Sequence, residues 1–300
     1  MDFWRAHRPG RHFGRSRAAW AAVLAAIPVL LAAAGSAHAA CGAPDGRVQV
    51  DSIDDRLDLV LADGRTVRLA GVAAPDAARS PALAADARRF LEVLFAGRGA
   101  DLRRLAAGTD RWGRIPGDVA PSQPPTPSQL AAPSQPPAPG PNRSAALALL
   151  AAGYARVTPA VEAQTCAAER LAAEDGARRQ KLGVWADPLT AVVPAGDAEA
   201  LRRSGSRLVV IEGIVRRVGF GRSRLYLDLA PKGGPTIVVP RKLAPAFAKA
   251  GVSLESATGW TIRVRGALDG RLGPRLEVSE PAMIEVLGRS SARGAVEPRP

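Results

Sequence analysis

From Gly46 onward the chain is organised by alternation of apolar and polar positions. Gly46–Asp51 has a strand pattern, and Leu57–Ala70 reads as two alternating strands joined at Asp63-Gly64, a dipeptide that favours the tight turn of a β-hairpin. After Pro81 the period changes. Leu83, Ala87, Phe90, Leu91 and Leu94 share one face of a helix that Gly97 ends, before a short strand at Ala100–Leu105 and a turn at Asp110–Arg114. From Ile115 to Asn142 the pattern collapses into proline, serine, glutamine and alanine, with Ala-Pro-Ser-Gln-Pro-Pro at 120–125 repeated at 132–137. Such composition cannot build a core, so residues 115–142 are expected to form a disordered loop. Helical spacing resumes at Ser144, closes at Gly153, and returns from about Ala160 to Lys181, with Gly183-Val184-Trp185 as the closing turn. Each side of the loop is too one-sided to stand alone, so the loop interrupts one domain, residues 40–186.

Residues 187–206 read as a linker. Beyond it lie strand patterns at Arg207–Val218, Ser223–Ala230, Thr236–Val239, Trp260–Leu268, Arg275–Val278 and Met283–Leu287, with a short helix near Leu243–Ala250. Short strands with one interposed helix predict a small barrel over 207–288, OB-like in preference to SH3-like, followed by a disordered tail at 289–300. The fold class is α+β, mainly β with helices.

The first 39 residues stand apart. Five arginines precede an apolar run from Ala18 to Ala34 that ends in Ser36-Ala37-His38-Ala39, the layout of a cleaved secretory signal, which implies a periplasmic or secreted protein. A retained anchor is the alternative, although the run is slightly short for a span. Without this segment 36 basic and 27 acidic residues remain, and most of the surplus falls after residue 186. A basic surplus suits nucleic acid or another polyanion. The arginine-for-lysine and alanine bias weakens that inference.

All three histidines, His7, His12 and His38, lie in the leader, which excludes imidazole bases, nucleophiles and metal ligands from the remaining chain. Cys41 and Cys166 are the two cysteines of a chain bound for an oxidising compartment and are expected to form a disulfide, two buried thiols being the alternative.

Several landmarks fall in a known order: Asp63-Gly64-Arg65, Val67-Arg68-Leu69-Ala70-Gly71-Val72, Pro75-Asp76, Asp110-Arg111-Trp112-Gly113-Arg114, Leu149 through Val157, and Gly183-Val184-Trp185-Ala186. Over residues 46–186 the chain resembles the staphylococcal nuclease (thermonuclease) family. The resemblance implies an OB-type barrel with helices and calcium-dependent phosphodiester hydrolysis. In that chemistry two aspartates and a backbone carbonyl hold calcium, a glutamate handles the attacking water, and two arginines clamp the phosphate.

Carried over by position, the arginines are Arg68 and Arg114. The calcium aspartates fall on Leu57 and Ala73, the carbonyl ligand on Ala74, and the glutamate on Asp76. Asp58, one residue from Leu57, would point to the other sheet face unless a bulge re-aims it, and Asp55 has the right parity but lies about 7 Å along the strand. Either could rebuild a metal site. Calcium is therefore expected only if the protein is active, and Asp110, Trp112 and Gly113 read as turn and packing residues.

In the second barrel Arg216, Arg217, Arg222, Arg224, Arg263 and Arg265, with Phe220, Tyr226 and Trp260 among them, could form a basic face for single strands, or be a solvated rim over core aromatics. The expected function is nucleic-acid or phosphate binding with weak or no phosphodiesterase activity. An active nuclease with a rearranged metal site and a non-catalytic envelope interaction module are the alternatives.

Overall fold

The first strands curl into a closed barrel. Strand β1 (Gly46–Ile53) pairs with β2 (Leu59–Leu61), β2 with β3 (Thr66–Leu69), and β1 with β5 (Arg98–Arg104), all antiparallel. Strand β6 (Ile115–Pro121) completes it by pairing parallel to β3 and antiparallel to β5, giving the order β1-β2-β3-β6-β5. A computed structural model describes residues 41–122, 143–205, 207–230, 233–270 and 273–289, which lie within the compact unit starting at His38. The leader at 1–39, residues 123–142 of the proline-rich segment and residues 290–300 of the tail lie outside the described residues. Among those described, no helix is long and apolar enough to cross a membrane.

The hairpin forms where Asp63-Gly64 predicts it. Gly64 has φ 82°, and Leu59, Leu61, Val67 and Leu69 alternate into the core. Helix α1 (Pro81–Phe95) starts on a proline and buries Ala87, Phe90, Leu91, Leu94 and Phe95 against the barrel, as its spacing requires. Strands β4 (Val72–Ala73) and β7 (Arg156–Val157) form a separate two-stranded ribbon.

The expected loop from residue 115 is corrected at its start, because residues 115–121 are β6. Ile115 and Val119 supply core contacts, and Pro116, which cannot donate to a ladder, still accepts from Leu105 N at 2.9 Å. Averaged composition concealed this strand beneath the prolines that follow. Inside it, buried Asp118 accepts from Ser144 Oγ at 2.7 Å and from Ala146 N at 3.2 Å, fixing the start of α2 (Ala145–Ala151) on the barrel. The helix expected over 160–181 divides into a tight turn at Val161–Cys166 and α3 (Ala167–Arg179), and a Cys41–Cys166 disulfide ties that turn to the segment before β1.

The closing glycines have a steric reason. Gly153 and Gly183 both have positive φ, Val184 N donates to Gly153 O at 2.9 Å, and a Cβ on Gly183 would lie 2.2 Å from that oxygen. Gly183→Ala is expected to cost about 1–3 kcal/mol, read as a lower urea midpoint, and an unchanged midpoint would show that the two turns can separate freely.

The linker expectation for 187–206 is also corrected. Val192–Pro194 is β8 and Ala198–Ser204 is α4, capped by Asp197, whose carboxylate accepts from Ala200 N at 2.9 Å. Strand β8 pairs parallel to β9 (Leu208–Ile214), and Val193 and Leu201 join the second core. Two adjacent valines suffice for a strand when a sheet edge is available.

The remaining strands are β10 (Arg217–Phe220), β11 (Arg224–Asp228), β12 (Thr236–Pro240), β13 (Trp260–Asp269), β14 (Arg275–Glu277) and β15 (Ile284–Arg289), with α5 (Ala244–Lys249) between β12 and β13. Their order is β10-β11-β12-β14-β13-β9-β8, with β15 on β13. Only Val215 and Arg216 separate β9 from β10, so the path returns to the segment where it began. A parallel β12–β14 pair repeats the parallel β3–β6 pair, and a helix enters at the same step. Both halves thus carry the OB-type order.

Between the halves, Arg265 donates to Glu174 Oε2 at 2.7 Å and Val157 O at 3.2 Å, and Arg156 donates to Leu208 O at 3.0 Å, while within the second half Arg265 also donates to Glu285 Oε1 at 2.6 Å.

Candidate functional site

Strand β3 presents Arg68 on its outer face, between the inward Val67 and Leu69. The Asp110–Arg114 turn delivers Arg114 beside it. Asp110 shapes that turn by accepting from Trp112 N and Arg114 N at 3.0 Å each, and its other oxygen receives Arg114 Nε at 2.9 Å and lies 3.4 Å from Arg68 Nε. The two arginines therefore share one carboxylate.

Each arginine has a second acidic partner. Arg114 reaches Asp58 Oδ2 at 2.6 Å, and Arg68 reaches Glu162 Oε1 at 2.6 Å. The result is an alternating row, Asp58–Arg114–Asp110–Arg68–Glu162, with three carboxylates to two guanidiniums. Burial raises the Asp58 carboxyl above the ordinary range, outweighing the hydrogen bond from Arg114. At Asp110 burial also acts upward, but the Arg114 and Trp112 hydrogen bonds hold it low. Glu162 is held low against burial by its own backbone N–H and by Arg68. Arg114 is pushed up by Asp110 and Asp58, although burial opposes that.

The acidic knot explains Asp58. Asp54 Oδ1 accepts from Arg56 N and Asp58 N, both at 2.8 Å, and Leu57 adopts φ 64° with its side chain buried in the barrel. This left-handed residue breaks the strand parity that would have aimed Asp58 away. Asp55 does not join the row. It is 90% exposed and pairs with Arg88 at 2.7 Å.

Asp76 does not join it either, because its carboxylate accepts from Ala78 N at 3.0 Å in an exposed turn leading to α1. Ala73 lies in β4, paired to Arg156. Calcium does not fit these residues. The two ligand positions are apolar, Asp58 and Asp110 are engaged by Arg114, and among the described residues no three acidic, cysteine or histidine side chains group as metal donors.

Trp112 differs from the packing role expected of it. It is 59% exposed, with Arg111 Cζ 3.9 Å and Arg114 Cζ 4.9 Å from its ring centroid. Glu162 has no signal in the sequence, since its partner is 94 positions away.

The basic face expected on the second barrel is corrected at Arg263 and Arg265. Arg265 is 2% and Arg263 7% exposed, and both are neutralised, Arg263 by Glu212 and Glu285 and Arg265 by Glu174 and Glu285. The patterning assigned them to one face correctly, but that face is covered by the first barrel and β15. Arg217 is exposed yet paired with Asp228 at 2.8 Å, and Arg216 is exposed. Trp260 is core, and Phe220 is 61% exposed.

No curated protein matches the chain. A family model does. Residues 66–187, from β3 through the Gly153–Gly183 contact, match the model of the Staphylococcal nuclease homologue family, which takes in Arg68, Ala73, Asp76 and Arg114 and begins after the acidic knot. The paired arginines and the parallel β3–β6 closure of the barrel both fall in the matched segment, so it is over residues 66–187 of the 300 that the chain is similar to the staphylococcal nuclease family.

Proposed function

We propose that this is an exported protein whose first barrel binds nucleic acid, or another phosphate-bearing polyanion, with weak or no phosphodiesterase activity. The observation that carries this reading is the convergence of Arg68 and Arg114 on Asp110, where a nuclease would need calcium carboxylates and this chain has Leu57 and Ala73. Guanidinium forks accept phosphate in the geometry in which they accept carboxylate, so an incoming phosphate exchanges with Asp110 or Glu162. Without a metal-ligand set, the pair can hold a phosphate but cannot supply the charge that cleavage requires. The basic leader followed by an apolar run supports export to the periplasm or medium.

An active phosphodiesterase with a rearranged metal site is the second reading. Asp58 favours it, because its carboxylate reaches the clamp at Arg114. The test is incubation of the purified protein with single-stranded DNA and RNA in calcium, beside binding titrations at several salt concentrations. Expected are uncut substrate and salt-sensitive binding, with a log–log salt slope shallower by about 1.4 in an Arg68→Ala, Arg114→Ala double variant. Calcium-dependent cleavage abolished by Arg68→Ala would establish the second reading. Absence of binding at low salt would leave a non-catalytic envelope interaction module.

A further inference from the structure

We propose that the tip of the β10–β11 hairpin, together with the turn that follows β12, is a second surface for single-stranded nucleic acid, separate from the arginine clamp. Phe220 closes β10 and is 61% exposed, whereas Phe247 and Trp260 are 0% and 7% exposed and Tyr226 is half-buried. Most of its ring is therefore open to solvent, where Phe247 and Trp260 are core.

Cations gather around it. Arg222 and Arg224 follow in the tip and along β11, and Ser223 O accepts from Arg241 N at 2.8 Å, which seats Arg241 and Lys242 against the same tip. All four are exposed. Arg224 has a loose partner in Glu277 at 3.9 Å, both about half exposed, and among the described residues Arg222, Arg241 and Lys242 make no ion pair. This contrasts with Arg217, Arg263 and Arg265, each matched to a carboxylate. Uncompensated charge here is attractive to a polyanion.

The choice among polyanions follows from the mixture. A single strand alternates a stackable base with a phosphate, which matches one exposed ring amid cations. A duplex hides its base faces, and a lipid surface favours several inserted apolar side chains where this tip offers one.

The test is fluorescence anisotropy of the purified protein with a labelled oligothymidylate, using Phe220→Ala, Arg222→Ala with Arg241→Ala, and the Arg68→Ala, Arg114→Ala pair as comparison. Thermal melts check that each exposed substitution leaves the fold intact. Phe220→Ala is expected to weaken binding by about fivefold to a hundredfold. The hairpin double variant should make the salt slope shallower by about 1.4. These losses should persist on the clamp-variant background. Unchanged affinity and slope in the hairpin variants overturn the proposal, and if the clamp variant alone then loses binding, the reading of the first barrel stands without it. Hairpin variants that lose binding to phosphatidylglycerol vesicles but not to the oligonucleotide also overturn it, in favour of a membrane surface.

Discussion

Replacing Arg265 with methionine is expected to destabilise the protein by about 3–5 kcal/mol, because it strands a buried charge between the two barrels. Arg265 and Glu174 have side chains 2% and 1% exposed, and Arg265 is the ion-pair partner that the described residues give Glu174. Without it, Glu174 keeps its bond from Val157 N at 2.7 Å and the more distant pull of Arg156, but no ion-pair partner among the described residues. Burial already raises the Glu174 carboxyl even with Arg265 present. A carboxyl with a folded pKa above its unfolded value takes up a proton on folding, so the fold gains stability as pH falls through that folded value. The methionine variant's deficit should therefore narrow as pH falls from neutral, and pairing it with Glu174→Gln should recover much of the loss by removing both charges. Urea midpoints for the two single variants and the double variant decide it. Equal losses in the single and double variants, with no change in acid, would mean that water reaches the pair.

Loss of the Cys41–Cys166 bond is expected to cost about 5 kcal/mol, from the chain-entropy cost of leaving so long a loop open in the unfolded state. The linked residues are 125 positions apart. Because the bond joins the segment before β1 to the turn leading into α3, it spans the whole first barrel. Melting in reductant, and of a Cys41→Ala, Cys166→Ala variant, should drop by a similar amount. Two free thiols in the native protein by non-reducing mass analysis would remove the basis for this expectation.

Much of the architecture was legible because it is written locally. Asp63-Gly64 between alternating runs, Gly97 after an apolar helical face, and the short strands after residue 206 each specify their own geometry. What failed depended on partners far along the chain. Strand β6 and β8 exist because neighbouring strands offer them edges, which composition does not record. Arg263 and Arg265 obey the expected alternation, yet alternation identifies a face without saying what covers it. The candidate site divides in the same way. Arg68, Arg114 and the apolar Leu57 and Ala73 are visible by position, whereas Glu162 enters through a contact 94 residues away. Asp58 enters through a left-handed Leu57, a conformation that no β-patterned run announces.

Strand β8 has a consequence for how the molecule can be divided. It comes after the nuclease-family segment ends but supplies the outer pairing of β9, the strand that opens the second barrel. Cutting at the compositional boundary near residue 206 would leave the backbone edge of β9 open, as a template for another chain's strand. A second barrel with that edge covered begins before Val192, well ahead of where the sequence turns polar.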